Sequence, residues 1–597
     1  MKKYVADFET TTVVEDCRVW AYAIVDIEDT DNVIIGTNID DFIEWCSEQK
    51  GSPKIFFHNL KFDLSFIMDA LFKMGFTHTT EGKDRQTKTF NTMISDKGLV
   101  YQCEIIFYRK GKNIRKVILQ DSLKLIPLRV KEIPKAFGLE EAKGEIDYDR
   151  HNKLPPNSPL TEEEQDYIKH DVVIVAKAIN YMYSQGLNKM TIGLCALEEY
   201  KNIVGKKTFK RWYPTPEYHN DVRQSYRGGF TYLNPKFASV PVKQGITLDV
   251  NSLYPSVMRD HNNPLPFGTP IFFEGKYKPN PMYPIYTQML SCQFEIKPGK
   301  IPTIQIKHSL SFMGNEYLTS SNGEEVTVCL NSVDLELFFE HYNVYNVVYH
   351  SGWMFKASVG MFDKYIDKWI ANKIQASKDG NKGLRYISKL FLNSLYGKFG
   401  TDTRMVNKVP YLQDGEVKYY YSEPKTRKGI YIAMASFITS YARLKTITSA
   451  QKITDDYNAG KSDIQFIYAD TDSLHCLSPG FKLPEGLEID PYKLGAWKYE
   501  SKFYSPDGKG AKFLRQKCYI ENLTEDIDED DPDYHLKITV AGMPEECYSQ
   551  VTFDNFEIGA DYYGKKMPTT VPGGTVLIDG TFTIKPYCDT MIIEVSG

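Results

Sequence analysis

The sequence predicts an α/β (α+β) fold divided among several units, and three observations carry that expectation. A chain of 597 residues is far longer than one core accommodates. Its first 125 or so residues alternate strand-like runs (KYVADFET, PKIFFHNL, KVILQDSL) with helical segments. Later, an apolar run in GITLDVNSLYPSV finds its candidate partner only in DIQFIYADTDSLHC, with β-rich and helical blocks between them.

The elements follow in order. A turn-rich stretch, HNKLPPNSPLTEEEQDYIKHD, opens a helix for which Thr161 is a suitable N-cap and Glu164 completes a capping box. That helix should run into the 180s, and GLNKMTIG marks a unit boundary, near 189/190. IPTIQIK and EVTVCLNSVDLELF read as β segments, residues 360 to 397 as a helical block, and VPYLQDGEVKYYYSE as a hairpin turning at Asp414-Gly415. The acidic run 525–533 reads as a solvated loop, and a last β-rich unit closes the chain.

Hydrophobic content of 42% and charged content of 25% are those of a soluble globular protein. A net charge of −5 provides no global basic field, which excludes a histone-like binder but not an enzyme with a locally basic groove. The ten cysteines, from Cys17 to Cys588, contain no CxxC pair, so zinc ribbons and disulfide frameworks are disfavoured. MKKYVADFETTT lacks a signal-peptide core, and no apolar run is long enough to span a bilayer, so a soluble intracellular protein is expected.

Carboxylates then suggest chemistry. In ADFETT, Asp7 and Glu9 share one strand face; Asn59 and Asp63, and Tyr167 and Asp171, are each four apart, one helical turn. In FIYADTDSLHC, Asp470 and Asp472 stand two apart after an apolar run, which on a strand puts two repelling charges on one face unless a cation lies between them. An exposed turn is the alternative. Four carboxylates with a tyrosine in one α/β unit is what two-metal phosphodiester hydrolysis requires, and hard divalent cations prefer such oxygens. The set resembles the DxE, NxxxD and YxxxD motifs of proofreading 3′–5′ exonuclease domains, in which Tyr167 would orient the attacking water.

In the second half, Asp249 ends an apolar strand before Ser252-Leu253-Tyr254-Pro255, and Lys389, Asn393 and Tyr396 form one helical stripe. With YADTDS these resemble motifs A, B and C of family B DNA polymerases. SYRGGF (Tyr226, Gly228, Gly229) and RQKCYI (Lys517, Tyr519) further resemble the YxGG link and KxY motif of the protein-primed phage subgroup. The resemblance implies an RNase H-like exonuclease domain (1–189) and a right-hand polymerase domain (190–597). Within the latter it implies palm at 190–264 and 428–530, terminal-protein insertions at 265–357 and 400–427, fingers at 358–399 and thumb at 531–597.

By the same resemblance, Asp249, Asp470, Asp472 and the Val250 carbonyl would hold two Mg²⁺ ions, with Mn²⁺ as a substitute. Asp7, Glu9, Asp63 and Asp171 would hold two more. Tyr254 would exclude a ribose 2′-OH, Lys373, Arg385 and Lys389 would bind triphosphate, and Asn393 and Tyr396 would frame the nascent pair. Thr10, His58, Asn59, Phe62, Ser122 and Leu123 would contact single-stranded DNA, with Lys143 and Tyr148 as catalytic helpers. Glu145 departs from the family's Asp, the fingers loop is longer, and the chain extends past about residue 585 without an assigned role. Residues 356–398 hold nine lysines and arginines against three aspartates, which favours phosphate contact there. The implied partners are template-primer DNA, dNTPs, a terminal protein and a single-stranded-DNA-binding protein, in the cytoplasm of an infected bacterium. A nucleic-acid-primed family B polymerase and a DNA-binding scaffold with a decayed site are the competing readings.

Overall fold

The computed structural model describes every residue except 14, 141–143, 145, 148, 215–218, 308–309, 525–535, 566–568, 573, 577–578 and 588–597. Lys143, Glu145, Tyr148, the acidic run 525–533 and most of the extension after residue 585 therefore lie outside the described residues.

The N-terminal unit is built on an eight-stranded sheet ordered Asp29–Gly36, Val19–Asp26, Lys3–Thr10, Lys54–Phe57, Asn113–Asp121, Val100–Lys110, Thr89–Ile94, Thr77–His78. Lys3–Thr10 lies inside this sheet and is buried on both faces. Tyr4, Ala6 and Phe8 pack with the helix Leu60–Lys73, while Val5 packs with the helix Glu162–Ser184. Period-two alternation therefore sends Asp7 and Glu9 toward Glu162–Ser184, the helix that carries Asp171. The capping box at its start is formed: Thr161 Oγ1 accepts from the Glu164 N–H (3.2 Å), and the Glu164 carboxylate accepts from the Thr161 N–H (2.9 Å).

The second unit centres on a five-stranded antiparallel sheet ordered Trp497–Tyr504, Gln244–Val250, Ser473–Leu477, Gln465–Asp470, Thr231–Leu233. The long helix Ile432–Asn458 backs it, buried along most of its length. A four-stranded sheet spans 265–358, and the helices Asp363–Lys378 and Lys382–Phe399 follow. Near its N-terminus, Lys382–Phe399 rests on the first unit. Tyr181 Oη donates to Asn381 Oδ1 (3.1 Å), the Tyr181 ring lies 2.8 Å from where a Cβ on Gly383 would sit, and Phe137 meets Tyr386 edge-on at 5.5 Å. The hairpin Lys408–Gln413/Glu416–Tyr421 turns at Asp414-Gly415, both at positive φ (55° and 82°), as a two-residue loop requires.

Three sequence expectations need correction. IPTIQIK is not a strand: Ile301, Ile304 and Ile306 bury their side chains, but the Thr303 and Ile304 N–H groups donate to the Tyr342 hydroxyl (2.8 and 3.4 Å) rather than to a strand. EVTVCLNSVDLELF is half strand and half helix, because the Asn331 side chain caps Ser332–His341 by accepting from the Asp334 N–H. GITLDVNSLYPSV likewise leaves the sheet at Val250 and enters the helix Leu253–Arg259. Among the described residues, no helix is long and apolar enough to cross a membrane.

Candidate active sites

In the first unit, ligand oxygens of Asp7, Glu9 and Asp171 all lie within 4.8 Å of one another. Asp63 joins from the first turn of Leu60–Lys73, 3% exposed, and its Oδ1 is buried without a hydrogen-bond partner. Burial, then the charges of Asp7 and Glu9, push its carboxyl well above the usual carboxylate range. Convergent acidic oxygens, one of them unsatisfied, are the donor set of a hard divalent cation. Tyr167 is buried one turn before Asp171.

Around this cluster, Asn59 is exposed, with left-handed backbone (φ 81°), and its N–H donates to Asp121 Oδ1 (3.1 Å). Phe62 is half-buried against Phe66, Leu123 is half-buried, and Thr10 follows a register shift at the strand end. Ser122 is wholly buried, its hydroxyl 3.0 Å from both the Phe57 carbonyl and His58 Nδ1, so its side chain faces the interior of the unit. His58 Nε2 meets the Leu128 carbonyl at 2.6 Å, which fixes the ring from its other side.

In the second unit, Asp470 and Asp472 do not share one strand. Gln465–Asp470 and Ser473–Leu477 form a hairpin whose two loop residues are Thr471 and Asp472, with Thr471 at φ 59°. A β-branched residue in the left-handed region is strained, and its surroundings hold it there. Its N–H donates to the Phe230 carbonyl (2.7 Å), and its carbonyl accepts from Thr446 Oγ1 (2.8 Å). A Cβ on Gly229 would lie 2.6 Å from Thr471 Oγ1, so that position admits only glycine. The same loop is clamped by Arg443, 2% exposed and paired with Asp334, which donates to the carbonyls of Arg227 and Gly228. Tyr226 lies half-buried against Gly400.

Asp470 is partnered within the protein: Lys517 Nζ stands 2.7 and 2.9 Å from its two oxygens, while the Tyr468, Thr231 and Thr471 hydroxyls donate to it. Lys517 thus offsets part of the Asp470 charge within the protein, and Asp470 still raises Asp472 through space. Tyr519, two residues past Lys517, is buried against Phe513. Asp249 pairs across the sheet with Ser473 and, on its other side, with Lys498, whose Nζ lies 3.3 Å from Oδ1. The Val250 N–H donates to the Asp472 carbonyl (2.8 Å), which places both carboxylates at one sheet end. Burial, then Asp472, raise Asp249 to about 6 despite Lys498. Asp472 is raised by burial and, through space, by Asp470 and Glu500.

From these carboxylates a cleft of about 880 Å³ opens toward Lys382–Phe399. Lys382, Arg385, Lys389, Asn393 and Tyr396 all line it, along one face of that helix, and Lys373 faces them. Burial, then Arg385, Lys389 and Lys498, lower the Lys373 ammonium. The Tyr254 ring stacks on Tyr396 at 4.0 Å and 19°. Sequence reasoning missed Lys498 and Glu500, although WKYESKFY sets both on one strand face. It also missed Lys135, which reaches the cleft from the first unit.

The family profile described as DNA polymerase type B, organellar and viral, matches residues 47–159 and 151–480. The DNA polymerase of Bacillus phage phi29 is 43% identical over 598 aligned positions, covering 98% of this chain and 99% of that protein. That of Streptococcus phage Cp-1 is 31% identical, covering 98% of each. The chain belongs to the organellar and viral type B DNA polymerases. The phi29 polymerase in complex with primer-template DNA and incoming nucleotides superimposes with a TM-score of 0.87 at 42% identity, over 98% of this type B chain and all of that one. In its complex with primer-template DNA alone, the score is 0.88. This type B polymerase is thus a nucleotidyltransferase with the mixed α/β fold of its phage relatives, and divalent metal ions belong to its chemistry.

Proposed function

We propose that this polymerase replicates a phage genome from the hydroxyl of a terminal protein, displaces the non-template strand and removes misincorporated nucleotides 3′ to 5′. The observation that carries the reading is two separate carboxylate clusters: Asp7, Glu9, Asp63 and Asp171 in one unit, Asp249 and Asp472 with Asp470 in the other. Residues 1–189 are the exonuclease; 190–264 and 428–530 the palm; 358–399 the fingers; 531–597 the thumb; 265–357 and 400–427 the terminal-protein insertions. Mg²⁺, when bound at each cluster, supplies charge neutralisation for the reacting phosphate and its oxygens.

The protein's own residues do the rest. Lys373, Arg385 and Lys389 take the triphosphate oxygens, and Lys498, beside Asp249, adds positive charge near the α-phosphate. The stacked Tyr254–Tyr396 pair floors the sugar and base, with Asn393 on the same helical stripe, and Tyr254 crowds any 2′-OH. Asn59, Phe62, Thr10 and Leu123 guide a single strand toward the buried cluster, His58 and Ser122 hold their loop, and Tyr167 orients water. Val417 of the hairpin and Val571 of the last unit pack against the same apolar cluster of the first unit. A ring closed in that way would keep template and displaced strand apart, and would let nucleotide addition do the unwinding. The protein works in the host cytoplasm with a single-stranded-DNA-binding protein.

The test separates the clusters. Asp7→Ala/Glu9→Ala should abolish degradation and leave extension, and Asp249→Ala should do the reverse. If the first pair abolished both under saturating Mg²⁺, the division would be wrong. Deleting residues 403–425 should stop extension at a downstream duplex while single-stranded gaps are still filled. Transfer of a nucleotide onto a co-encoded protein tests the priming mode, and extension of DNA primers alone would favour nucleic-acid priming.

A further inference from the structure

The hairpin Lys408–Tyr421 carries more exposed aromatic surface than its fold needs. Tyr411, Tyr419, Tyr420 and Tyr421 are 37%, 44%, 51% and 62% exposed. Directly paired residues share a face, so Leu412 and Val417 lie on one face with Tyr419 and Tyr421, and Val417 turns that face toward the first unit. Tyr411, Lys418 and Tyr420 occupy the opposite face, with Lys418 directly across from Tyr411 and Glu416 beside it; that face is covered at its base, where Val409 opposite Tyr420 is 5% exposed, and open toward the tip. The Tyr411 and Tyr420 rings are diagonal neighbours, their centroids 5.9 Å apart and their planes inclined at 55°, so neither ring covers the other. A cross-strand tyrosine pair can stabilise a hairpin, but one face would suffice for that, and here both faces carry exposed rings.

Segment 403–428 holds six lysines and arginines against three acids, in a chain whose net charge is −5; of these cations Lys418 shares the face of Tyr411 and Tyr420, with Glu416 beside it, and Lys408 lies on the other face. Exposed rings interleaved with cations are the equipment of sequence-tolerant single-strand binding, in which bases stack on aromatics and phosphates meet lysines. An acidic protein partner would use the cations but would give the rings no stacking partner.

We infer that Tyr411 and Tyr420, with Lys418, form a stacking site for the displaced DNA strand on their shared face of the hairpin, toward its tip. The inference rests on the proposed strand-displacing role of this hairpin and deepens it. If the template passes between the hairpin and the first unit, the excluded strand is the one that reaches the opposite face. Stacked there, it would be delayed from re-annealing, so the hairpin would capture as well as divide.

The experiment uses the full chain and a primer-template with a downstream duplex bearing an oligothymidine 5′ flap, compared with the same DNA without the flap. The wild type should bind the flapped fork more tightly. Tyr411→Leu/Tyr420→Leu, which keeps apolar bulk, should lose about tenfold of that flap-dependent gain and still fill single-stranded gaps at the wild-type rate. Tyr411→Phe/Tyr420→Phe should retain the gain. 2-Aminopurine should be quenched by the wild type when placed in the flap near the fork. Full flap affinity in the Leu variant would overturn the inference, as would quenching confined to the template, or a Leu defect confined to initiation on a protein primer. The deletion of 403–425 keeps the two readings apart. If that variant still displaces strand, the hairpin's displacing role fails. If it stalls while the Leu variant keeps its flap gain, only the stacking site fails.

Discussion

The two carboxylate clusters manage like charge in different ways. Burial, and then the charges of Asp7 and Glu9, raise the Asp63 carboxyl. In the second unit each acid has a resident cation in view: Lys517 holds Asp470, and Lys498 stands beside Asp249. Asp63 thus carries a raised carboxyl that a metal would lower, whereas Asp470 and Asp249 each face a lysine before any metal arrives. Binding of a divalent ion should therefore relieve the raised Asp63 carboxyl of the first cluster, whereas Asp470 and Asp249 of the second keep their lysine contacts without one.

Removing a resident lysine should produce the largest effect. Lys517→Met leaves Asp470 with the Tyr468, Thr231 and Thr471 hydroxyls but no cation and should lower extension by ~10²-fold, a size typical of a lost preorganised charge. Degradation of single strands by the same preparation should be unchanged. Equal loss in both assays would mean that the lysine supports the whole molecule rather than one site.

Next comes pH. Asp249, raised to about 6, takes up a proton as pH falls through that value and then competes with cations for it. At limiting Mg²⁺, extension should decline about tenfold per unit below that inflection, as for any single competing proton, and excess Mg²⁺ should move the inflection downward. Lys498→Met should move it upward, since that ammonium lowers the Asp249 value. An inflection unmoved by Mg²⁺ would assign it to another group.

The smallest effect concerns folding. The Asp63 carboxyl binds its proton more tightly folded than unfolded, so the metal-free protein gains stability at low pH and loses it as pH rises through the raised folded value. Asp63→Asn should raise the metal-free thermal midpoint near neutral pH by a few degrees, since ~1 kcal/mol moves a unit of 150–250 residues by about 2–4 °C. The gain should vanish in acid and shrink when Mg²⁺ stabilises the wild type. A variant no more stable than wild type in chelator would remove the contrast between the clusters.

Local rules made much of this legible. The Thr161–Glu164 capping box, the Asp414-Gly415 turn, the shared face of Asp7 and Glu9 and the Lys389–Asn393–Tyr396 stripe each depend on residues a few positions apart. What escaped depends on distant partners. The left-handed Thr471 is stable only because Phe230 and Thr446 hold it and Gly229 makes room. Lys498 meets Asp249 only because two strands far apart in sequence become neighbours. Ser122 faces the interior only once the fold buries it. IPTIQIK alternates like a strand but gives its N–H groups to Tyr342.

The rest of Lys382–Phe399 upon Tyr181 and Phe137 bears on how this enzyme can be re-engineered. The two units are not interchangeable modules, because the helix whose lysines and arginine line the cleft begins on a floor supplied by the first unit. Excising residues 1–189 to obtain a polymerase that cannot degrade its product would strip the packing from Gly383 and Tyr386, and would also remove Lys135 from the cleft. Silencing one activity without disabling the other calls for single side-chain changes at the acids and an uncut chain.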